Sequence, residues 1–148
     1  MSKIIDSNSL KRIIAEQLDR DLPQCRSSEV IINSQRVPVE IADTDYLRNR
    51  GLMFRENLEP GGGMLFMFPD ESKRSFWMKN TSIPLSIAFI DGGGVITNIE
   101  DMRPHCLESV CSSRPAPYAL EMNQGWFEGN AIPGDRVLNI PKVLLRIK

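Results

Sequence analysis

The sequence predicts a mainly β protein: a compact antiparallel β-sandwich or small barrel with one short internal helix and an N-terminal amphipathic helix. Three observations support this class. After residue 29 the apolar residues come in short runs of strand length. Gly and Pro turns separate those runs. Helical spacing of apolar residues occurs near 8–20 and 43–50 alone. We therefore expect an N-terminal helical extension and linker, 1–28, and a β domain, 29–148.

The first helix is predicted from four apolar residues at helical spacing, with charged residues on its other face. They are Leu10, Ile13, Ile14 and Leu18. A helix of roughly three turns is marginal alone, so this stripe should be buried. It packs either on its own domain, which the sequence favours, or on another chain. Residues 22–29 read as a linker.

The β domain opens with a predicted hairpin, residues 29–33 and 36–42. Pro38 places its second strand at a sheet edge or a bulge. A short helix follows from a cap at Asp43 or Thr44 and ends at Gly51. The other predicted strands are separated by turns or by the polar loop 103–117. They are 63–68, 74–80, 85–91, 95–102, 118–123, 135–140 and 142–147.

Composition and termini limit the class of function. The 148 residues suit one domain. The net charge is −1 and the basic residues form no stripe, so no nucleic-acid partner is expected. No signal peptide or membrane-spanning stretch is recognised. Three cysteines without a pairing pattern favour free thiols. The expected location is the cytoplasm, or a particle assembled there.

The stretch Phe76-Trp77-Met78-Lys79-Asn80 is a candidate binding site. Side chains alternate along a strand, so Phe76, Met78 and Asn80 should share one face. Trp77, Lys79 and Thr81 should share the other. A Trp beside a cation offers a platform for a ring or an acidic group. The alternative is that Trp77 packs beneath the 103–116 loop and Lys79 is structural.

Glu121 is the one charge in an otherwise apolar predicted strand, where it needs a partner if it is buried. Lys79 or Arg50 is the natural candidate. The functional interpretation is a pocket of polar residues with tryptophan walls: Arg50, Lys79, Asn80 and Glu121, with Trp77 and Trp126. The alternative is a buried ion pair that fixes strand register. The sequence does not separate the two.

No metal, cofactor or catalytic residue is predicted. His105, Cys106 and Cys111 lack a fourth ligand and the Cys-x-x-Cys spacing of zinc sites. A Cys–His nucleophile has no evident orienting group. Ser82 and Ser86 form no recognisable triad with that histidine.

A series of motifs resembles domain-of-unknown-function family 192, a bacterial and archaeal family of small mainly β domains. The resemblance covers about residues 36–141, and many members carry Asp where this chain has Ser86. It implies a compact β-sandwich-like fold and no assigned reaction. The motifs are Arg50–Arg55, Gly63–Phe66, Phe76–Thr81, Ile83–Leu85, Phe89–Asp91, Leu120-Glu121, Gly125 and Gly134-Asp135.

Three functions are compatible with these features. The first is a non-catalytic binding module for a small ligand or protein, using the Trp-lined pocket. The second is a component of a larger homo- or hetero-assembly, such as a viral structural part, docked through the N-terminal helix. The third is a hydrolase acting from the same pocket. We rank them in that order because one histidine and no paired carboxylates leave catalysis without a base.

Overall fold

The computed structural model describes residues 6–21 and 23–142, and for residues 15–21 it describes the backbone alone. Within these ranges the helices are α1 (Ser7–Asp21) and α2 (Asp45–Arg50). The strands are β1 (Arg26–Ile32), β2 (Gln35–Ala42), β3 (Gly63–Met67), β4 (Ser75–Phe76), β5 (Leu85–Ile90), β6 (Ile96–Met102), β7 (Val110–Cys111), β8 (Tyr118–Asn123) and β9 (Val137–Leu138).

Seven of these strands form one curled sheet in the order β6-β5-β8-β3-β2-β1-β9. The prediction of a mainly β fold is confirmed. Neighbouring strands are antiparallel except β2 and β3, which run parallel from Val39 beside Gly63 to Ala42 beside Phe66. This parallel pair was not predicted. Strands β4 and β7 form a separate two-stranded sheet.

Helix α2 lies in the connection between the two parallel strands. The Thr44 hydroxyl accepts a hydrogen bond from the Leu47 amide at 3.2 Å and caps its first turn. Gly51 ends the helix at φ 49°, a backbone conformation that residues other than glycine rarely adopt. The predicted helix at 43–50 is therefore confirmed, and its C-terminal turn carries two arginines.

The β1–β2 hairpin turns at Asn33 and Ser34, which both have positive φ. The prediction that Pro38 places its strand at a sheet edge or a bulge is wrong, because β2 is an interior strand and its register with β1 is continuous through Pro38. The ladder to β3 begins one residue later, at Val39, so β2 has only β1 as a neighbour at the proline. The missing N–H of Pro38 therefore costs no hydrogen bond to β3.

Alternation along the strands gives the sheet two apolar faces. One face includes Val39, Leu65 and Leu120 and is covered by Phe127 and Val137. The other face includes Met64, Phe66, Ile87 and Ala119 and is covered by α2, by Met78 and by Ile83. The second face holds the candidate site.

Three predicted strands differ from the structure. β1 begins at Arg26, within the segment 22–29 that was predicted as a linker, and not at residue 29. Residues 74–80 form a strand only at Ser75–Phe76, after which the chain turns and Asn80 takes φ 55°. The strand predicted at 135–140 is limited to Val137–Leu138. Most of the strand predicted at 142–147 lies outside the described residues.

The N-terminal helix is confirmed, but the predicted burial of its apolar stripe on its own domain is wrong for the side chains described. Asp6 caps the helix by accepting a hydrogen bond from the Ser9 amide at 2.7 Å. Leu10, Ile13 and Ile14 are 47%, 46% and 49% exposed. The Leu18 side chain lies outside the described residues. Neither described helix is long and apolar enough to cross a membrane.

Candidate functional site

Glu121 stands on the buried face of β8, in the middle of the sheet. Its neighbours across the ladders are Met64 on β3 and Ile87 on β5, which are both fully buried and apolar. The Glu121 side chain shares that face with Ala119, while Leu120 and Met122 enter the opposite core. Its exposure is 4%, so the sheet holds a carboxyl group in an apolar layer.

A cavity of about 160 Å³ opens above this carboxyl group. The end of α2 and the turn after it form one side, and the segment from Ser75 to Thr81 forms the other. The lining residues fall into polar, apolar and aromatic groups. They are Arg48, Asn49, Arg50, Ser75, Thr81 and Glu121; Gly51, Leu52 and Met53; and Phe66, Phe68, Phe76 and Trp77.

Three phenylalanine rings form the apolar wall. Phe76 stands edge-on to Phe66, with ring centroids 4.9 Å apart, and to Phe68 at 6.1 Å. Edge-to-face packing fixes the orientation of the rings and adds to the stability gained from their burial. The wall is therefore a rigid surface beside the carboxyl group.

Guanidinium groups surround the outer edge of this wall. Arg48 donates to the Met67 carbonyl at 2.8 Å, pairs with Asp45 at 2.7 Å, and lies 5.4 Å from the Phe68 ring centroid. Arg74 lies 4.0 Å from the centroid of the same ring. Cation–π contacts of this kind favour the observed side-chain positions. Two guanidinium groups, each paired with an aspartate, therefore lie over the Phe68 ring.

The Glu121 carboxyl group has no partner in the described part of the chain, where it accepts no hydrogen bond and forms no ion pair. Burial raises its pKa to about 8, from an ordinary value of 4.5. The acid form therefore predominates at neutral pH, and it carries one O–H donor. The carboxyl group opens onto the cavity, where a bound molecule can accept this hydrogen bond.

The prediction that Glu121 pairs with Lys79, directly or through Arg50, is wrong. The Lys79 ammonium instead lies 5.3 Å from the centroid of the Trp77 ring, on the exposed surface. The predicted alternation holds from Phe76 to Lys79, because Phe76 and Met78 pack on the core while Trp77 is 48% exposed. It is wrong beyond Lys79, where Asn80 is exposed and Thr81 is buried. A turn after β4 carries Lys79 away from the sheet, which explains why the two charges do not meet.

The structure brings three of the six predicted pocket residues into the cavity wall: Arg50, Trp77 and Glu121. Lys79 and Asn80 lie at the adjacent surface, and both are exposed. The prediction that Trp126 forms part of the pocket wall is wrong.

Trp126 packs on the core of the opposite sheet face. The centroids of the Trp126 and Phe127 rings lie 5.3 Å apart. The reason is the turn after β8, in which the Trp126 amide donates to the Asn123 carbonyl. This turn redirects the chain to the other face of the sheet.

Several cavity residues were missed by the sequence analysis. The sequence pattern is typical of ordinary core residues for Phe66, Phe68 and Phe76, and of a loop residue for Thr81. It does not show which strands are neighbours in the sheet, and so it does not bring these residues together. A signal for Arg48 existed, since it lies on the predicted helix two residues before Arg50. Residues two apart on a helix do not share a face, so the pair was not recognised as one site.

The residues considered for catalysis do not converge. Ser86 donates to Asp101 at 2.7 Å, and Ser82 donates to the Arg55 carbonyl at 3.1 Å, so neither is paired with His105. Among the described residues, no three His, Cys, Asp or Glu side chains are grouped closely enough to hold a metal.

The fold and the cavity define a class: a small mainly β domain with a curled seven-stranded sheet and a buried carboxyl group under an aromatic-walled cavity. The model of the family DUF192, “Uncharacterized ACR”, matches residues 28–139. The chain belongs to this family, as the motif series suggested.

Two solved structures are similar to the chain. One is a proposed transcription regulator from Sinorhizobium meliloti 1021, with 35% identity and a TM-score of 0.73 over 78% of this chain and 95% of that one. The other is a protein of unknown function from Novosphingobium aromaticivorans DSM 12444, with 32% identity and a TM-score of 0.70 over 75% and 84%. No curated protein matches the sequence.

Proposed function

We propose that this domain is a non-catalytic module that binds a small ligand in the cavity above Glu121. One observation carries the proposal: a carboxyl group that is 4% exposed, without a partner in the described part of the chain, forms part of the cavity wall. The carboxyl group opens onto the cavity, so a ligand there can form the hydrogen bond that the described part of the chain does not supply.

The shape of the site supports the same function. Ligand sites are typically concave and mainly apolar, with a few polar groups that fix orientation. Here phenylalanine rings and Leu52 provide the apolar surface, and Glu121, Thr81 and two arginines provide the polar groups. Trp77 lines the cavity and is half exposed, so a ligand can contact its ring.

The test is a titration with three single-ring probes of different charge: benzoate, benzamide and benzylamine. Amide chemical shifts of Gly51 and Thr81, which line the cavity, should move and saturate with at least one probe. The amide of Gly129, which is absent from the cavity lining, is the internal control. Ligands of this size should bind with a dissociation constant on the order of 1 mM. No saturable shift with any probe would contradict the proposal.

Trp77→Ala is a suitable variant for this test, because the exposed Trp77 side chain contributes little to the core. We expect it to weaken probe binding while leaving the fold intact. Leu138→Ala on β9 removes a side chain of similar exposure, 55%, that does not line the cavity. It should bind the probes as the wild type does.

A second candidate function rests on the exposed apolar stripe of α1. Leu10, Ile13 and Ile14 recur at helical spacing and are about half exposed. Such a stripe is typical of a helix that packs on another chain. Light scattering on the full-length protein and on Leu10→Ser/Ile14→Ser would test this role. A monomer in both cases, with unchanged stability, argues against it.

The designation of the S. meliloti neighbour raises nucleic-acid binding as an alternative, which we do not adopt. Such binding needs basic residues available to phosphates. Here several arginines are already paired with carboxylates of their own chain. These pairs are Arg26–Asp43, Arg48–Asp45, Arg55–Glu40, Arg74–Asp70 and Arg114–Asp91.

A further inference from the structure

We propose that the apolar stripe of α1 docks on a surface formed by Phe54, Trp77 and Leu107 of a second copy of this chain, so that two copies exchange their N-terminal helices. These three side chains define what we call the three-loop surface, which lies beside the cavity that Trp77 lines. This inference rests on the second candidate function, the docking of α1 on another chain, and it names both the partner and the surface that receives the helix.

The three-loop surface is built from segments that backbone hydrogen bonds hold together. The Phe54 amide donates to the Asn80 carbonyl at 2.9 Å, which joins the turn after α2 to the turn after β4. The Met78 amide donates to the Cys106 carbonyl at 2.9 Å, which joins the turn after β4 to the loop before β7. The three apolar side chains therefore belong to adjoining segments of one surface.

All three side chains are large, apolar and open to solvent. Phe54 and Leu107 are 65% and 64% exposed, and Trp77 is half exposed. Single exposed apolar residues are ordinary on protein surfaces, whereas a group of them marks an interaction site. Tryptophan and phenylalanine are also enriched in protein–protein interfaces. The composition of this surface therefore favours a protein partner.

Backbone strain is concentrated in the same three loops. Phe54, Asn80 and His105 have φ of 65°, 55° and 60°, in the left-handed region that side chains disfavour. Strained residues of this kind cluster at functional sites. Phe54 is the most informative, because glycine would adopt this conformation without strain. In its own chain the exposed ring gains a contact with the Arg50 guanidinium group, 5.3 Å from its centroid.

The stripe of α1 has the form that such a surface accepts. Leu10, Ile13 and Ile14 occupy positions i, i+3 and i+4, the spacing with which an amphipathic helix anchors itself on an apolar surface. Their side chains are about half exposed, so their own domain does not cover them. One chain therefore carries two apolar surfaces that are open to solvent, one aliphatic and one mainly aromatic.

Charge is complementary at the two surfaces. Asp6 lies one turn before Leu10, whose amide donates to the Asp6 carbonyl at 3.0 Å, so a carboxylate stands at the N-terminal end of the stripe. The Lys79 ammonium lies at the three-loop surface, 5.3 Å from the centroid of the Trp77 ring. Within the described residues this lysine forms no ion pair. Opposite charges of this kind fix the orientation of a docked partner.

The position of the linker favours a two-fold exchange. Gln24 and Cys25, which follow α1, share a hollow with Arg50 and Gly51, and the same two residues line the cavity together with Trp77. The helix therefore leaves the domain on the side that carries the three-loop surface, and one two-fold rotation forms both contacts at once. Because a stable interface buries about 1,200 Å² or more in total, duplicating the contact favours this arrangement over a single one.

The test is light scattering on the full chain from low micromolar to submillimolar concentration. The mass of the wild type should rise from the 16.7 kDa of one chain towards twice that value. Two double variants should stay monomeric: Leu10→Ser/Ile14→Ser, the helix variant, and Phe54→Gly/Leu107→Ser, the surface variant. Ile132→Ser is the matched control, because Ile132 is also 65% exposed but lies next to the opposite core, and it should dimerise as the wild type does.

The surface variant should keep its fold. Phe54→Gly removes a strained conformation, and Leu107 is exposed, so the melting temperature at low micromolar concentration should stay close to that of the wild type. Neither residue lines the cavity, so the single-ring probes should bind this variant as they bind the wild type. The ligand-binding proposal is therefore tested separately from the exchange of helices.

Mixing the two monomeric variants tests the exchange itself. The helix variant keeps an intact three-loop surface and the surface variant keeps an intact helix, so one of the two contacts can form between unlike chains. Native mass spectrometry, which separates the variants by mass, should detect a mixed dimer that is weaker than the wild-type dimer, and no dimer of like chains. A mixture that stays monomeric would contradict the exchange.

Three results with the separate proteins would overturn the proposal. A dimer that is lost in the helix variant but kept in the surface variant would leave α1 as an interface element and assign it a different receiving surface. A dimer kept in both variants would show that neither surface forms it. A wild type that is monomeric at every concentration would exclude a second copy, and a loss of stability in both variants would then place the stripe on its own chain.

Discussion

The Lys79 ammonium lies 5.3 Å from the centroid of the Trp77 ring, at the surface beside the cavity. Both side chains are exposed, and the lysine does not reach the carboxyl group that it was predicted to neutralise. The Trp-Met-Lys-Asn stretch is therefore divided: Met78 belongs to the core, and Trp77 and Lys79 belong to the surface of the candidate site.

This arrangement predicts a small effect of Lys79 on folding. We expect Lys79→Ala to lower the free energy of unfolding by no more than about 1 kcal/mol, because exposed cation–π contacts are weak. Chemical denaturation measures it, and Lys73→Ala at another exposed position is the control. A loss of several kcal/mol would show that the lysine has a buried partner.

Glu121 predicts an unusual dependence of stability on pH. Its pKa is raised from 4.5 to about 8 on folding, so the folded state binds one more proton than the unfolded state between these values. The corresponding stability is complete below pH 4.5 and is lost as pH rises toward 8, at up to roughly 1.4 kcal/mol per pH unit.

The measurement is urea unfolding at several pH values from about 5.5 to about 8.5 for the wild type and Glu121→Gln. The wild type should lose stability relative to the variant as pH rises. Four aspartates whose pKa values are lowered stay ionised over this range and cancel in the comparison: Asp6, Asp70, Asp91 and Asp135. Parallel curves would mean that Glu121 has a stabilising partner when ionised.

Gly63 should tolerate no side chain. A Cβ added there would lie 2.6 Å from the Glu121 carbonyl oxygen, a backbone atom of the neighbouring strand. We expect Gly63→Ala to destabilise the fold by about 1–3 kcal/mol or more, because β3 and β8 must separate to admit the methyl group. Gly93→Ala, in the turn after β5, is the control. Its added Cβ would have one neighbour, at 3.4 Å, so its melting temperature should stay close to that of the wild type.

The cap of α2 should influence both stability and the site. Thr44→Ala removes the hydrogen bond to the Leu47 amide and should cost about 1 kcal/mol of unfolding free energy. Because α2 positions Arg48 and Arg50, probe binding should weaken as well. Thr44→Ser keeps the hydroxyl and should restore both properties; equal losses in the two variants would contradict the capping role.

Local signals made much of the fold predictable. The α2 cap, the β1–β2 hairpin and the turn from Asp91 to Gly94 depend on residues close in sequence, and the structure has each of them. The hairpin turn lies at Asn33-Ser34, one residue before the Ser34-Gln35 position that the sequence predicts. The parallel β2–β3 pair depends on how α2 and the loop after it pack over the sheet, and no local pattern carries that information.

The candidate site was predictable to a similar extent. Glu121 could be recognised because a charge interrupts an apolar strand, and Trp77 because side chains alternate. The position of Trp126 could not be predicted, because the turn after β8 determines which face of the sheet its side chain packs on. The absence of a partner for Glu121 in the described residues is a property of three-dimensional packing and has no sequence signal.

The central position of β8 has a consequence for how this protein is synthesised. Residues Tyr118–Asn123 lie between β3 and β5 and join the β1–β3 half of the large sheet to the β5–β6 half. Both halves leave the ribosome before the strand that unites them, with the apolar edges of β3 and β5 unpaired. Until β8 emerges, the nascent chain carries two incomplete sheets whose open edges invite aggregation.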